Sequence, residues 1–361
     1  MRNTIGKSIT LTLYGESHGS SIGAVLDGFA AGIRVDEDFV RHQLSLRRPA
    51  GDISTTRVES DPFVIESGVF GGFTTGTPIC IRIPNSDTSS IDYEPRAARP
   101  GHADFAAFCK YHGFEDYRGG GHFSGRLTAA IVAAGAIVLA ALAQKGVYVS
   151  THIAEIAGVK DRAFADYQED IAILKDMSFP VLDRAQGEKM KEKIRSAKAE
   201  SDSVGGILES VVLGLPVGVG EPAFDSLESS IAHALFSIPA VKGVEFGNGF
   251  ALAAMRGSES NDAMYNENGT VKLKSGHMGG IFGGISVGAP ITVRTAVKPT
   301  PTIAREQQTV SLPSLENTTL AAKGRHDPCI VHRAAVVADS MIALTVADLL
   351  VLQNGTDWMK A

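Results

Sequence analysis

The segment Ser124 to Gln144, SGRLTAAIVAAGAIVLAALAQ, decides how this chain must be layered. Its apolar residues fall on every face of a helix, and a helix of that kind is buried on all sides. The run Ala129 to Leu142 is too short and too rich in Ala to span a bilayer, so its cover is expected to be protein. A second helix of the same kind is expected over Arg333 to Leu350, with Arg333, Asp339 and Asp348 spaced along it.

Strands around these helices come in hairpin-like pairs. Ser8 to Tyr14 alternates, and Ile22 to Leu26 returns beside it across GESHG (Gly15 to Gly19). Phe63 to Phe70 and Pro78 to Ile83 form a second pair, joined by GGFTTGT. Val147 to Ile156, Gly205 to Leu215 and Pro290 to Val297 read as longer strands, and Gly243 to Phe246 and Phe250 to Arg256 as short ones. Helices are expected over Asp36 to Leu46, His102 to Tyr111, Gly187 to Ala199 and Pro222 to Phe236. Asn85 to Ala98 reads as a long loop and Thr356 to Ala361 as a frayed tail. Pairs of strands without strict βαβ alternation favour an α+β fold with antiparallel sheets over a doubly wound parallel sheet.

Just before the first apolar helix stands Arg99 to Arg126, RPGHADFAAFCKYHGFEDYRGGGHFSGR, with three arginines, three histidines and a triple glycine. Core packing does not call for that mixture. Gly119 to Gly121 let backbone approach a ligand, and free N–H groups at the following helix entrance suit an anion. Arg47, Arg48, Arg99, Arg118, Arg126, Arg325 and Arg333 all sit at loop–helix junctions, where converging guanidinium forks suit a small polyanion. Taken singly, each is a surface residue or a salt-bridge partner. His18, His102, His122 and His326 adjoin Gly, Ser or Asp in loops and can move protons near neutral pH. His42 and His152 read as ordinary, and His112 and His332 stay undecided.

Several functions are disfavoured. The 361 residues carry a formal charge of −6, which argues against nonspecific nucleic-acid binding. No H-x-x-x-H or H-E-x-x-H pair exists, so no metal site is expected. Cys80, Cys109 and Cys329 are far apart and read as buried reduced thiols of a cytoplasmic protein. The first residues, MRNTIGKSITLTLYG, hold no apolar signal core, so neither secretion nor membrane attachment is expected. GESHG fits the G-x-S-x-G pattern with Ser17 as nucleophile, but a strand follows it where a hydrolase needs a helix. GGGHFSG lacks dinucleotide-fingerprint spacing.

GESHG, RPGHAD, GGGHFSGR, VKGVEFGNGF, GGIFGGIS and GRHDPC, in this order, resemble the chorismate synthase family, and the resemblance runs over nearly the whole chain. It implies a single domain over 1–361, folded as a β-α-β layered sandwich with antiparallel sheets around a central helical layer, and a cytoplasmic homotetramer. It implies a lyase of the shikimate pathway that eliminates phosphate from 5-enolpyruvylshikimate 3-phosphate to give chorismate. The cofactor implied is reduced FMN, with NADPH as an indirect reductant. By the same resemblance His18, His102 and Asp327 are the catalytic residues. His18 would protonate the departing phosphate, His102 would meet the flavin N1/O2 edge, and Asp327 would keep flavin N5 able to take the substrate proton. Substrate contacts fall to Ser17, Arg47, Arg48, Arg126 and Arg333. Flavin contacts fall to His122, Phe123, Ser124, Pro239, Ala240, Gly283, Lys298, Pro299, Thr300, Pro301, Thr302 and Arg325. The chain departs from the family at His122 and Phe123, where Arg and Ser are usual. It departs again at Ala50, near Ile53, and at Asp339, which stands for Glu. A noncatalytic flavin- or anion-binding protein and a serine hydrolase are the alternatives.

Overall fold

The computed structural model describes residues 3–49, 51–55, 60–86, 97–322 and 326–360. Arg325, Ala50 and most of the expected loop from Asn85 to Ala98 lie outside these. The first sheet is built from β1 (Thr4–Ile5), β2 (Thr10–Gly15), β3 (Ser21–Asp27), β4 (Val64–Ser67) and β5 (Ile79–Pro84), in the spatial order β1-β2-β3-β5-β4. The second is built from β6 (Tyr148–Ile156), β7 (Val159–Lys160), β8 (Gly206–Leu213), β9 (Val241–Phe246) and β10 (Ile291–Val297), in the order β9-β10-β8-β6-β7. Every pairing in both is antiparallel. The α+β expectation therefore holds.

The main helices are α1 (Glu37–Leu46), α2 (Asp104–Tyr111), α3 (Thr128–Gln144), α4 (Tyr167–Leu174), α5 (Arg184–Ala199), α6 (Leu227–Phe236) and α7 (Val331–Asn354). The two apolar helices, α3 and α7, pack on each other; α3 also packs on β3 and β5, and α7 on β6 and β8. Together with its preceding 3-10 turn, α3 is long and apolar enough to cross a membrane, and so is α7. Length and composition thus do not exclude a span, contrary to the reading of Ala129–Leu142. Burial is what identifies core helices: most of each is enclosed by protein. Asp348 of α7 accepts the backbone N–H groups of Lys7, Ser8 and Ile9 at 2.9, 2.7 and 2.8 Å, tying the first strands to the last helix.

Several local expectations are corrected. Phe250 to Arg256 is no strand; Gly249–Ala254 is a 3-10 turn with no buried residue and so no core face to set a period of two. The helix expected from Pro222 starts at Leu227, where the Ser226 hydroxyl accepts the Ser229 N–H at 3.1 Å. The tail is not frayed: Thr356–Met359 forms a 3-10 turn whose Met359 is buried, with Trp358 packed on the core. Cys109 is exposed and Cys80 half-buried; only Cys329 fits the buried reading. Hairpins at Met264–Glu267/Thr270–Leu273 and Gln307–Val310/Asn317–Leu320 went unread.

Two histidines read as ordinary or undecided are fixed by burial. His332 bonds the Ser54 hydroxyl at 2.9 Å, and burial pushes its pKa down to about 4, so it is neutral. His152, on β6, is fully buried between Asp161 Oδ2 at 3.1 Å and Glu209 Oε2 at 2.9 Å. Burial opposes its charge, but the hydrogen bonds it donates to both carboxylates outweigh burial and raise its pKa above the usual 6.5. A raised histidine stabilises fully below its unfolded pKa and loses that contribution as pH rises through the folded one. His152→Gln is therefore expected to cost the most stability near about pH 6 and progressively less toward about pH 9 in urea unfolding. A cost that is flat or grows with pH contradicts the charged triad.

Candidate active site

Where α3 and α7 begin, a cavity of about 720 Å³ opens. The entrances of both helices line it, through Gly125, Arg126 and Thr128 on one side and Ile330, Arg333, Ala334 and Val337 on the other. Arg47, Arg48, Arg99, Arg126, Lys242, Lys298 and Arg333 point seven cations at it, against the two lining carboxylates Asp61 and Asp327 among the described residues. The chain as a whole is net negative, so this concentration is local.

Carboxylates fix the cations in place. Asp61 is buried and takes a hydrogen bond from Arg126 Nη1 on one oxygen, with Arg47 Nη1 3.5 Å from the other. Arg47 also donates to Thr128 Oγ1 at 2.8 Å and to the Gly125 carbonyl at 2.7 Å; Arg126 Nε donates to Asn85 Oδ1 at 3.1 Å. Both arginines are buried, so neither is the surface residue that each looks like taken singly. Arg333 donates to Asp327 Oδ2 and, at 2.8 Å, to the Arg47 carbonyl; Asp327 Oδ1 accepts the Thr55 N–H at 2.9 Å. Arg99 grips Asp104 through Nε and Nη2, both at 2.8 Å, and Asp104 Oδ1 lies 2.6 Å from His102 Nδ1. Lys298 donates to the Gly101 carbonyl at 2.9 Å; burial, then the Lys242 ammonium, pushes its pKa below the usual lysine value.

The triple glycine explains the two loops beside the cavity. Gly119, Gly120 and Gly121 all take positive φ, of 59°, 84° and 52°. A Cβ on Gly119 would stand 2.1 Å from the His18 ring, and one on Gly121 1.9 Å from the Asp116 carbonyl. Only glycine permits that approach. The GESHG turn is thereby locked under the loop: Ser17 N–H donates to the Gly121 carbonyl at 3.1 Å and His122 Nδ1 donates to the Gly15 carbonyl at 2.8 Å.

Of the residues singled out from sequence, Arg47, Arg48, Arg99, His102, His122, Phe123, Ser124, Arg126, Pro239, Ala240, Lys298, Thr300, Pro301, Thr302, His326, Asp327 and Arg333 line this one cavity. Ser17 and His18 do not; both are buried behind Gly119. Pro299 is outside the lining, and Gly283 sits in a separate turn between Ile281–Phe282 and Ile285–Ser286. Sequence reasoning missed Asp61 and Lys242 as lining groups. Asp61 stood in a polar loop without periodicity, but its place 13 residues after Arg48 gave no spacing signal.

The shared carboxylate yields a test. Asp61 has a positive φ of 49°, which Asn tolerates, so Asp61→Asn removes charge without backbone strain. Breaking a buried ion pair from one side is expected to cost about 3 kcal/mol or more in urea unfolding. A loss under about 1 kcal/mol would show that Asp61 does not hold Arg47 and Arg126.

Comparison with known proteins agrees with this geometry. The chorismate synthase family model matches residues 9–351. The chain is 47% identical over 350 residues to the chorismate synthase of Korarchaeum cryptofilum, covering 95% of this chain and 96% of that one. It is 45% identical over 354 residues to that of Dehalococcoides mccartyi, covering 97% and 96%, and 44% over 349 residues to that of Methanosarcina mazei, covering 96% and 95%. A crystal structure of chorismate synthase superimposes with a TM-score of 0.78 at 29% identity, over 98% of this chain and 94% of that one. The chain belongs to the chorismate synthase family.

Proposed function

We propose that the cationic cavity holds reduced FMN beside 5-enolpyruvylshikimate 3-phosphate and that phosphate is eliminated there to give chorismate. The observation that carries this reading is the convergence of seven cations on one cavity in a net negative chain. A substrate with one phosphate and two carboxylates is matched by that many donors. The cavity volume is in the range of small-molecule sites. Its wall also fits a polar cofactor. Thr300 Oγ1 is buried there with no hydrogen-bond partner among the described residues, and Lys298 and Lys242 form a cationic edge that an anion relieves.

In this reading His102, His122, Phe123, Ser124, Pro239, Ala240, Lys298, Thr300, Pro301 and Thr302 hold the flavin, and Arg47, Arg48, Arg126 and Arg333 the substrate anions. Pro299, Gly283 and Arg325 remain proposed flavin contacts, and Ser17 a proposed substrate contact. Reduced FMN supplies the electron-rich ring that the elimination requires. Phosphate leaves only if its growing charge is neutralised. His18, packed against Gly119 of the cavity wall, would protonate it. His102 presents its ring to the flavin edge. Asp327, with one oxygen on Thr55 and the other on Arg333, would be held beside the flavin, where the reduced ring would supply the base for the substrate proton.

The same reading makes the chain one domain over 1–361, a β-α-β sandwich whose middle layer is α3 and α7, supported by their contacts with both sheets. It makes the enzyme a homotetramer; exposed Phe70, Phe114, Phe224 and Phe250 support an apolar interface. It places the enzyme in the cytoplasm, in keeping with three free cysteines, with NADPH as an indirect reductant. A serine hydrolase is not favoured: Ser17 is buried and followed by strand β3. A noncatalytic flavin binder is not favoured by the family.

The test is phosphate release from 5-enolpyruvylshikimate 3-phosphate, anaerobically, with dithionite-reduced FMN. The protein is expected to release phosphate, and His18→Ala and His102→Ala are each expected to lower kcat by about 100-fold or more with unchanged circular dichroism. No release by folded protein sinks the activity; near-normal rates in both variants remove the histidines from it.

A further inference from the structure

We infer that Asp104 is a positioning residue, which holds the His102 ring with its proton on Nδ1 and so makes Nε2 the atom that exchanges a proton with the cavity. The inference deepens the reading above and rests on His102 facing the flavin site. Asp104 Oδ1 is 2.6 Å from His102 Nδ1. An ionised carboxylate only accepts hydrogen bonds, so Nδ1 carries the proton. Burial opposes that ionisation, but hydrogen bonds from Arg99 and His102 outweigh it and hold the Asp104 carboxyl well below the usual range. The Nε2–Cε1 edge then faces Gly120, 3.3 Å from where a Cβ there would stand. A glycine at that place leaves the edge open. Arg99 Nη2 lies 3.6 Å from the same point, and Lys298 is held on Gly101, next to His102.

Arg99 makes the arrangement one-way. Its backbone N–H and Nε both donate to Asp104 Oδ2, at 2.9 and 2.8 Å, whereas among the described residues Oδ1 receives only Nη2, at 2.8 Å, besides His102. An Asn at 104 must place its NH₂ group on one side. Two donors oppose it at the Oδ2 position and one at the Oδ1 position. The NH₂ group therefore turns toward His102 and donates to Nδ1, forcing the neutral ring to carry its proton on Nε2. Nε2 then no longer accepts a proton.

The experiment is ¹⁵N NMR of histidine-labelled protein without flavin, above the pH at which His102 is neutral, with the signal assigned by its absence in His102→Gln. The wild-type protein is expected to show Nδ1–H and bare Nε2, and Asp104→Asn the reverse, with kcat about tenfold lower or worse and KM little changed. A wild-type His102 with its proton on Nε2 overturns the proposal without any variant. An unchanged Nδ1–H tautomer in folded Asp104→Asn overturns it as well. Normal turnover of His102→Gln would instead overturn the reading of the site, leaving the tautomer result standing.

Discussion

The approach of α3 to α7 at Gly135 and Ser340 is the constraint on which the rest depends. A Cβ on Gly135 would stand 2.3 Å from the Ser340 Cβ, so any larger residue drives the two helices apart. Both helices are buried along most of their length, and between them they pack on both sheets. Their spacing is thus fixed within the core. It also sets where their first turns lie, and those first turns line the cavity. Two helix entrances add partial positive charge to the arginines that already converge there. Core packing and the placing of the cationic cavity are in this way one geometric fact.

Gathering so many cations, with Arg47 and Arg126 buried, has a cost, and the structure meets it with carboxylates in fixed places. Asp61 joins Arg47 to Arg126, Asp327 joins Arg333 to the Thr55 backbone, and Asp104 joins Arg99 to His102. Each acid anchors groups from separate parts of the chain or holds a ring in one orientation. The lining keeps an excess of cations whose positions these hydrogen bonds fix, which is the preorganisation that the proposed anionic ligand calls for.

What was legible in the sequence follows the strength of each physical signal. The two core helices could be read because they are apolar on every face, and strands β8 and β10 because they bury Leu208, Val211 and Val212, and Ile291, Val293 and Val297. The hairpin Met264–Glu267/Thr270–Leu273 could not, because its exposed strands carry no burial period. Many residues that line the cavity were named through the resemblance that six ordered motifs carry. Their mutual placement was not, since it arises from tertiary contacts: Asp61 meeting Arg47 and Arg126, or His18 lodged behind Gly119 instead of on the cavity wall. His152 looked ordinary because both of its carboxylate partners are brought to it by neighbouring strands and loops.

The central claim is that one cavity, set by the entrances of α3 and α7, receives both flavin and substrate. Anaerobic crystals of the protein grown with FMN and 5-enolpyruvylshikimate 3-phosphate test it most directly. The account predicts the flavin ring against His102 and Phe123 and the substrate anions on Arg47, Arg48, Arg126 and Arg333. Flavin density away from His102, or substrate bound clear of all four arginines, would contradict it.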